Sequence, residues 1–116
     1  MFKIIFYQDK DGHSEVEDYL DSLINSNGKE AKQKLTKIDA YFKALREYGF
    51  SLKEPYIKKL DDKIWELRPL RDRFLFAGWV DGKFVILSHF VKKTNKTPPS
   101  EIKKAKRLLD DFIKRM

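Results

Sequence analysis

Six cations lie at the margins of predicted strands between residues 63 and 96, and they are the residues of this chain best suited to chemistry. They are Arg68, Arg71, Arg73, Lys92, Lys93 and Lys96. Arginine presents a planar fork of donors that matches phosphate, whereas lysine is a point charge whose pKa falls readily. Because clustered cations lower one another's proton affinity, a lysine among arginines is a candidate acid or base near neutral pH.

Such a cluster could cleave RNA without a metal ion. The ribose 2′-OH would attack the adjacent phosphate and leave a 2′,3′-cyclic phosphate and a 5′-OH. The cations would stabilise the additional negative charge of the transition state, and in-line positioning of the 2′-OH would supply much of the remaining acceleration. The alternative interpretation is a set of surface salt bridges, for instance Arg68 with Glu66 or Asp72.

Few other chemistries are available to these residues. The chain has no cysteine, which excludes disulfides and thiolate metal sites. No acidic spacing resembles a metal loop, and no Gly-rich phosphate loop or Gly-x-Ser-x-Gly elbow is present, so we expect no metal and no cofactor. His13 lies in a polar turn. His89 alternates with Leu87 and Val91 and is either a structural residue or, if it reaches an open face, a catalytic one.

Three predicted strands carry the cations. Residues 64–68 form the first, residues 73–80 the second and residues 84–91 the third, with Asp81-Gly82 as a two-residue turn between the last two. The third strand is apolar on both faces, which indicates a central position in the sheet. The pattern places Phe84, Ile86 and Phe90 on one face and Val85, Leu87 and Val91 on the other.

The rest of the chain predicts a scaffold around these strands. Residues 2–7 form an opening strand, Ser14 caps a helix, and residues 29–48 form a longer helix that ends at Gly49. Residues 51–60 are a polar connection. Thr97 or Ser100 caps a last helix over 101–116. The order predicts an α+β fold: a small twisted antiparallel sheet, the first strand at its edge, an N-terminal helical hairpin on one face, and a C-terminal helix.

Size and charge set the class of protein. The 116 residues suit one domain over 1–116, and with strand-length apolar runs and no signal peptide we expect a soluble cytoplasmic protein with no membrane partner. Residues 92–116 hold nine Lys or Arg against three Asp or Glu, which is most of the net charge of +7. This asymmetry favours a polyanion partner, nucleic acid first, or else a solvated lysine-rich helix.

The second half of the chain resembles the RelE/HigB toxin superfamily, and more narrowly its phage-derived HigB-like branch. The residues that carry the resemblance are Leu60, Trp65-Glu66-Leu67-Arg68, Arg73-Phe74, His89-Phe90, Lys92-Lys93, Lys96-Thr97-Pro98, Glu101-Ile102 and Ala105. The first half is similar in layout only. Members of this superfamily have a small twisted antiparallel sheet with a helical hairpin on one face, which agrees with the predicted order of elements.

The resemblance implies a toxin of a type II toxin–antitoxin pair. Such toxins cleave mRNA on the ribosome without a metal and so block translation. The implied partner is a helix-turn-helix (HigA-like) antitoxin, in a complex expected to be a heterotetramer. The alternatives are a non-catalytic basic module that binds nucleic acid or a partner, and a purely structural interaction protein.

The resemblance also implies roles for individual residues. Arg73 matches the arginine that contacts the scissile phosphate, Lys93 or Lys92 matches the basic residue at the end of the last core strand, and His89 matches a histidine near the reaction centre. Arg68, Lys96, Arg71 and Lys59 are the expected RNA-binding residues. Glu66 stands where some relatives have a basic residue, and it is either the general base or a residue that orients Arg68.

Overall fold

The protein folds into three α-helices and five β-strands, seen in a computed structural model that describes the backbone of residues 1–116 and all side chains except those of residues 79 and 80. The strands are β1 (Lys3–Phe6), β2 (Ile57–Lys59), β3 (Trp65–Leu67), β4 (Asp72–Trp79) and β5 (Lys83–Val91). The helices are α1 (Glu15–Ile24), α2 (Lys29–Tyr48) and α3 (Pro99–Lys114), and short 3₁₀ turns cover Gly49–Ser51 and Val80–Gly82. The α+β prediction is confirmed.

The strands form one sheet in the order β1-β5-β4-β3-β2. Strands β3, β4 and β5 pair antiparallel, as predicted, and β2 adds antiparallel to β3. Strand β1 runs parallel to β5, so the sheet is mixed and not wholly antiparallel as predicted. Strand β2 lies inside the segment 51–60, which we predicted to be a polar connection. Its sequence Ile-Lys-Lys carries no strand signal, and its pairing with β3 is what makes it a strand.

The helices cover the two faces of the sheet. On the helical-pair face, α1 and α2 pack against the sheet side chains Ile57, Leu67, Phe74, Phe76, Phe84 and Ile86. On the α3 face, α3 packs against Ile64, Leu75, Ala77, Val85 and Leu87. These apolar side chains are almost fully buried, and they make the sheet a rigid platform for whatever lies at its ends.

A bulge in β5 changes which residues face which helices. Leu75 pairs with Ser88, whereas its neighbour Phe76 pairs with Ile86, so Leu87 has no partner of its own in β4. One additional residue on one strand shifts the alternation of side chains by one position.

The bulge reverses the predicted faces at the end of β5. Phe84 lies on the helical-pair face as expected, but Phe90 does not join it and packs on the α3 face instead. His89 takes the place on the helical-pair face, where it contacts Phe74. The prediction that Phe90 shares a face with Phe84 and Ile86 is therefore wrong.

The ends of the elements follow local chemistry. Ser14 caps α1 by accepting a hydrogen bond from the Glu17 amide, as predicted. Asp81 and Gly82 both have positive φ (61° and 68°), the conformation that hairpin turns require, although the turn includes a third residue. Helix α3 begins earlier than predicted, and its cap position is Pro98 without a side-chain hydrogen bond, so neither Thr97 nor Ser100 has the predicted capping role.

Candidate active site

Three strand ends meet at one end of the sheet. Strand β4 runs antiparallel to both of its neighbours, so its first residues lie beside the last residues of β3 and β5. The loop 92–98 leaves β5 at the same point and leads into α3. This end of the sheet brings together Arg68, Arg71, Arg73, Lys92 and Lys93.

Glu66 lies at the centre of this region on the α3 face and is 1% exposed. Its Oε1 is 3.4 Å from Arg68 Nε and 3.8 Å from Arg73 Nε, and its Oε2 accepts a 2.5 Å hydrogen bond from the Thr97 hydroxyl. Leu67 belongs to the helical-pair core, so strand alternation turns the residues on either side of it to the α3 face. We call Glu66, Arg68, Arg73 and Thr97 the arginine cluster.

Arg73 is held firmly inside this cluster. Its Nη1 donates to the carbonyl oxygens of Leu70 and Asp72, both at 2.9 Å, and its side chain is only 7% exposed. Burial, and after it the charge of Arg68, lower the pKa of Arg73. The guanidinium nevertheless stays a cation, since arginine does not lose its proton in proteins. Its position is fixed by backbone carbonyl groups at the start of β4 and in the turn before it.

Arg68 is the more accessible of the two arginines, with a side chain that is 21% exposed. Its Nε is buried and forms no hydrogen bond with any described residue, so the 3.4 Å contact with Glu66 is an ion pair. Two guanidinium groups thus share one carboxylate, which leaves an excess of positive charge at the cluster.

Arg71 and Lys92 extend the β4–β5 ladder by one step. The Lys92 amide donates to the Arg71 carbonyl at 2.7 Å, and Arg71 Nη2 donates to the Lys92 carbonyl at 2.9 Å. This pair fixes where the chain enters the loop 92–98. Lys93 and Lys96 follow in that loop, and both are exposed. Lys92, Lys93 and Lys96 form no ion pair with any described residue.

His89 does not join the arginine cluster. It lies on the opposite, helical-pair face, stacked on Tyr19 with ring centroids 3.7 Å apart. Its Nε2 is 2.8 Å from Asp72 Oδ1, and the Tyr19 hydroxyl donates to the same oxygen at 2.6 Å. We call Tyr19, Asp72 and His89 the aspartate cluster. The sheet separates this histidine from Arg73, and its side chain is only 9% exposed.

The predicted RNA-binding residue Lys59 also lies on the other face. It pairs with Trp65 across β2 and β3, and its Nζ lies 5.9 Å from the centre of the Trp65 ring, on the helical-pair side. Its neighbour Lys58 is paired with Glu66 instead and is exposed. The register of β2 therefore places Lys58, which we did not predict as a site residue, on the face of the arginine cluster. Only knowledge that β2 is a strand could have indicated this.

The positive charge of the terminal helix is partly neutralised within the protein. Three ion pairs engage it: Lys104–Glu15, Lys106–Asp61 and Arg115–Asp111, at 2.9, 2.8 and 2.9 Å. Ion pairing with Asp61 raises the pKa of Lys106. The loop 92–98 carries lysines that have no ion pair among the described residues. They therefore contribute a larger share of the accessible positive charge than the composition indicates.

This arrangement can bind a phosphate diester and stabilise charge that develops on it. Guanidinium groups on a rigid sheet are preorganised donors, and such donors lower the energy of an anionic transition state. Within the described residues, no group of three His, Asp or Glu side chains converges in a way that could hold a metal ion. No described helix is both long and apolar enough to cross a membrane.

Comparison with known proteins places most of the chain in one family. A family model described as "Phage derived protein Gp49-like (DUF891)" matches residues 28–110, from the start of α2 to the middle of α3. The match includes every residue of the arginine cluster. No curated protein matches the chain.

Proposed function

Because the chain belongs to the phage-derived Gp49-like family, a RelE/HigB-like toxin family of toxin–antitoxin systems, we propose that it is an endoribonuclease toxin that cleaves mRNA on the ribosome. The observation that carries this proposal is the arginine cluster. It holds two guanidinium groups around one buried carboxylate, beside unpaired lysines, at one end of a rigid sheet.

In this proposal Arg68 and Arg73 bind the scissile phosphate, and Glu66 positions them. Both oxygens of Glu66 already have protein partners, and burial keeps it from a ribose hydroxyl, so the positioning role suits it better than the role of general base. The two guanidinium groups then donate to the phosphate oxygens where the additional charge of the transition state develops.

The lysine pair Lys92 and Lys93 supplies the proton transfers. One neutral amine takes the proton of the 2′-OH as its oxygen bonds to phosphorus. One ammonium gives a proton to the 5′-oxygen as the P–O5′ bond breaks. Protons therefore balance, and the products are a 2′,3′-cyclic phosphate and a 5′-OH. Lys96, Arg71 and the edge residue Lys58 bind the neighbouring phosphates.

The proposed partner is a helix-turn-helix antitoxin of the HigA type. We assign the chain to the HigB-like branch on the motifs at 65–68, 92–93 and 96–98. A toxin of this kind must be neutralised in the cell that encodes it, and exposed cations at 92–96 offer an acidic partner electrostatic complementarity. We expect two copies of each protein in the complex.

A second candidate function is a non-catalytic basic module that binds nucleic acid. The observation behind this candidate is the burial of Arg73 and its hydrogen bonds to two carbonyl oxygens. These features suit an arginine that stabilises the fold and takes no part in a reaction. It predicts salt-dependent RNA binding without cleavage products.

The test is a substitution that keeps the charge of Arg73 and removes its fork of donors. In Arg73→Lys the carboxylate of Glu66 still has a cation nearby, so the protein should fold, whereas Arg73→Ala would leave a buried charge less well paired. Induced in bacteria, the wild-type protein should arrest growth and produce new mRNA 5′ ends within translated frames. Arg73→Lys should abolish both.

The matched control is Arg107→Lys, the same change at an exposed arginine of α3 outside the arginine cluster. It should stay as toxic as the wild-type protein. If Arg73→Lys also arrests growth with unchanged cuts, the assignment of the arginine cluster is wrong. If wild-type protein binds RNA and yields no new 5′ ends, the binding module is the correct function.

A further inference from the structure

We propose that the cavity beyond the end of β5 binds a guanine base of single-stranded RNA next to the scissile phosphate, with Glu101 as the residue that recognises it. The choice of RNA as the ligand rests on the proposed function. It adds a base-specific contact to a site whose other proposed contacts are to the phosphates and the ribose oxygens.

The cavity lies between the end of β5, the loop 92–98 and the start of α3. It has a volume of about 570 Å³ and is lined by Phe90, Val91, Lys93, Thr94, Pro98 and Glu101. Its walls are thus an aromatic ring, a proline and a valine, with one cation and one carboxylate. Apolar walls with a few polar groups are typical of small-ligand sites, and protein aromatic rings stack on unpaired RNA bases.

Glu101 is the carboxylate that lines this cavity. Its Oε1 is buried and accepts no hydrogen bond from any described residue. An acidic residue in the first turn of α3 suits the helix dipole, but the dipole does not require a carboxylate oxygen to be shielded from water. Buried polar atoms nearly always have a partner. Asp72 Oδ2 and Ser88 Oγ also lack one among the described residues, but Glu101 lines a cavity with room for a ligand that brings a donor. The last torsion of a glutamate is broad, so the carboxylate can turn toward the cavity.

Guanine matches a carboxylate best among the four RNA bases. Its N1–H and N2–H are adjacent donors on the Watson–Crick edge and can bind both oxygens of one carboxylate. Adenine and cytosine place an acceptor beside their amino donor, and uracil places its single donor between two carbonyl oxygens. A carboxylate in this cavity should therefore repel part of the edge of every base except guanine.

The position of the cavity connects it to the arginine cluster. Phe90, which lines the cavity, is the direct cross-strand partner of Arg73, and both side chains lie on the α3 face. A nucleotide whose base enters the cavity would place its phosphate near the exposed cation Lys93. The same strand pair thus places a base site and a phosphate site within about one nucleotide of each other.

The experiment measures binding of four labelled 2′-fluoro pentanucleotides, which cannot be cleaved by 2′-OH attack. Their sequences are UUGUU, UUAUU, UUCUU and UUUUU. The wild-type protein should bind the guanine oligonucleotide roughly tenfold more tightly than the others, the size of effect expected for one bidentate base contact. Glu101→Gln should lower the preference for guanine over adenine about tenfold, because an amide offers one donor beside one acceptor.

The matched control is Glu30→Gln, an exposed acidic residue in the first turn of α2, which should keep the guanine preference. Lys93→Gln provides a second, independent variant. It should weaken binding of all four oligonucleotides by a similar factor and leave the preference intact. Guanosine 5′-monophosphate should compete at least about tenfold less well than UUGUU, because it lacks the flanking phosphates.

Equal binding of the four oligonucleotides by the wild-type protein, or an unchanged preference in a folded Glu101→Gln protein, would overturn the guanine site. Equal competition by the free nucleotide would overturn its assignment to RNA. A guanine preference in a protein that cuts no mRNA would keep this inference and reject the proposed nuclease. Cuts without any preference for a nearby guanine would support the proposed nuclease and reject the guanine site.

Discussion

Two clusters of buried polar side chains occupy the same end of the sheet on its opposite faces. The aspartate cluster has one carboxylate under the cover of α1. Its Oδ1 receives both the Tyr19 hydroxyl and His89 Nε2, while its Oδ2 is buried without a partner among the described residues. The arginine cluster has one carboxylate shared by two cations, and one of these is 21% exposed. The first is closed under α1, whereas the second combines two cations with one carboxylate and reaches the surface.

This contrast distinguishes the cluster that stabilises the fold from the cluster that can bind a ligand. Buried polar groups that satisfy one another rigidify a fold, whereas an excess of charge at an accessible edge attracts an opposite charge from solution. Adjacent residues of β4 belong to the two clusters, because Asp72 projects to one face and Arg73 to the other. One strand therefore carries both an anchor and a candidate catalytic group.

The largest expected effect comes from Arg68→Ala. This change removes the more accessible guanidinium and leaves Glu66 paired with Arg73 and Thr97. We expect cleavage to fall about 100-fold, as for loss of one charge-stabilising donor, and the melting temperature to change little. Single-turnover cleavage and thermal unfolding of the purified protein measure the two effects. A large loss of stability with proportionate loss of activity would make the arginine cluster structural too.

The next effect comes from Asp72→Ala on the other face. It leaves the Tyr19 hydroxyl and His89 Nε2 without their shared acceptor inside the protein. Stranded buried donors make the free energy of unfolding fall by about 2–4 kcal/mol in total. Denaturant unfolding measures this, with Asp21→Ala, an exposed aspartate of α1, as the control. If stability stays unchanged while activity disappears, the aspartate cluster belongs to the reaction and our comparison of the faces fails.

The sequence predicts best where local signals decide the structure. The bounds of α2 agree with the prediction because its apolar residues keep helical spacing and Gly49 stops it with a φ of 55°. The three central strands follow from aromatic and branched residues around a turn. Trp65 and Leu67 lie in the helical-pair core and alternate with Glu66 and Arg68, so the sequence pattern of β3 alone puts the two charged residues on one face.

Prediction fails where tertiary pairing decides. A bulge opposite Leu75 and Phe76 leaves no mark in the apolar run of β5, yet it moves His89 to the helical-pair face and away from Arg73. Strand β2 is a strand only because it pairs with β3. The sequence alone therefore could not predict that Lys58 and Lys59 lie on opposite faces of the sheet. Register is a property of two strands and cannot be determined from one.

A smaller effect should follow from Thr97→Val, which removes the hydroxyl that ties the loop 92–98 to Glu66. The substitution conserves shape, so the fold should remain while Lys93 and Lys96 lose their fixed position relative to the sheet. We expect stability to fall by about 2 kcal/mol, the value of one hydrogen bond to a charged group, and cleavage to fall roughly tenfold, mostly in kcat. Thr97→Ser keeps the hydroxyl and should restore both. A rescue that fails would show that packing of the methyl group, rather than the hydrogen bond, positions the loop.

The smallest effect concerns acid stability and tests the charge of Asp72. Burial is the largest single influence on the pKa of Asp72 and raises it, but hydrogen bonds from His89 and Tyr19 and nearby charges outweigh it, so the pKa is lowered. The unfolded chain then takes up this proton first as pH falls. The contribution of Asp72 to stability is therefore complete above the unfolded pKa of about 4 and is lost as pH falls through the folded value.

Denaturant unfolding at pH 6 and pH 3 should show a smaller loss of stability for Asp72→Asn than for the wild-type protein. The exposed Asp21→Asn is the control for removing one carboxylate. An equal loss in all three proteins would mean that the aspartate cluster gains nothing from its charge, and that geometry alone distinguishes it from the arginine cluster.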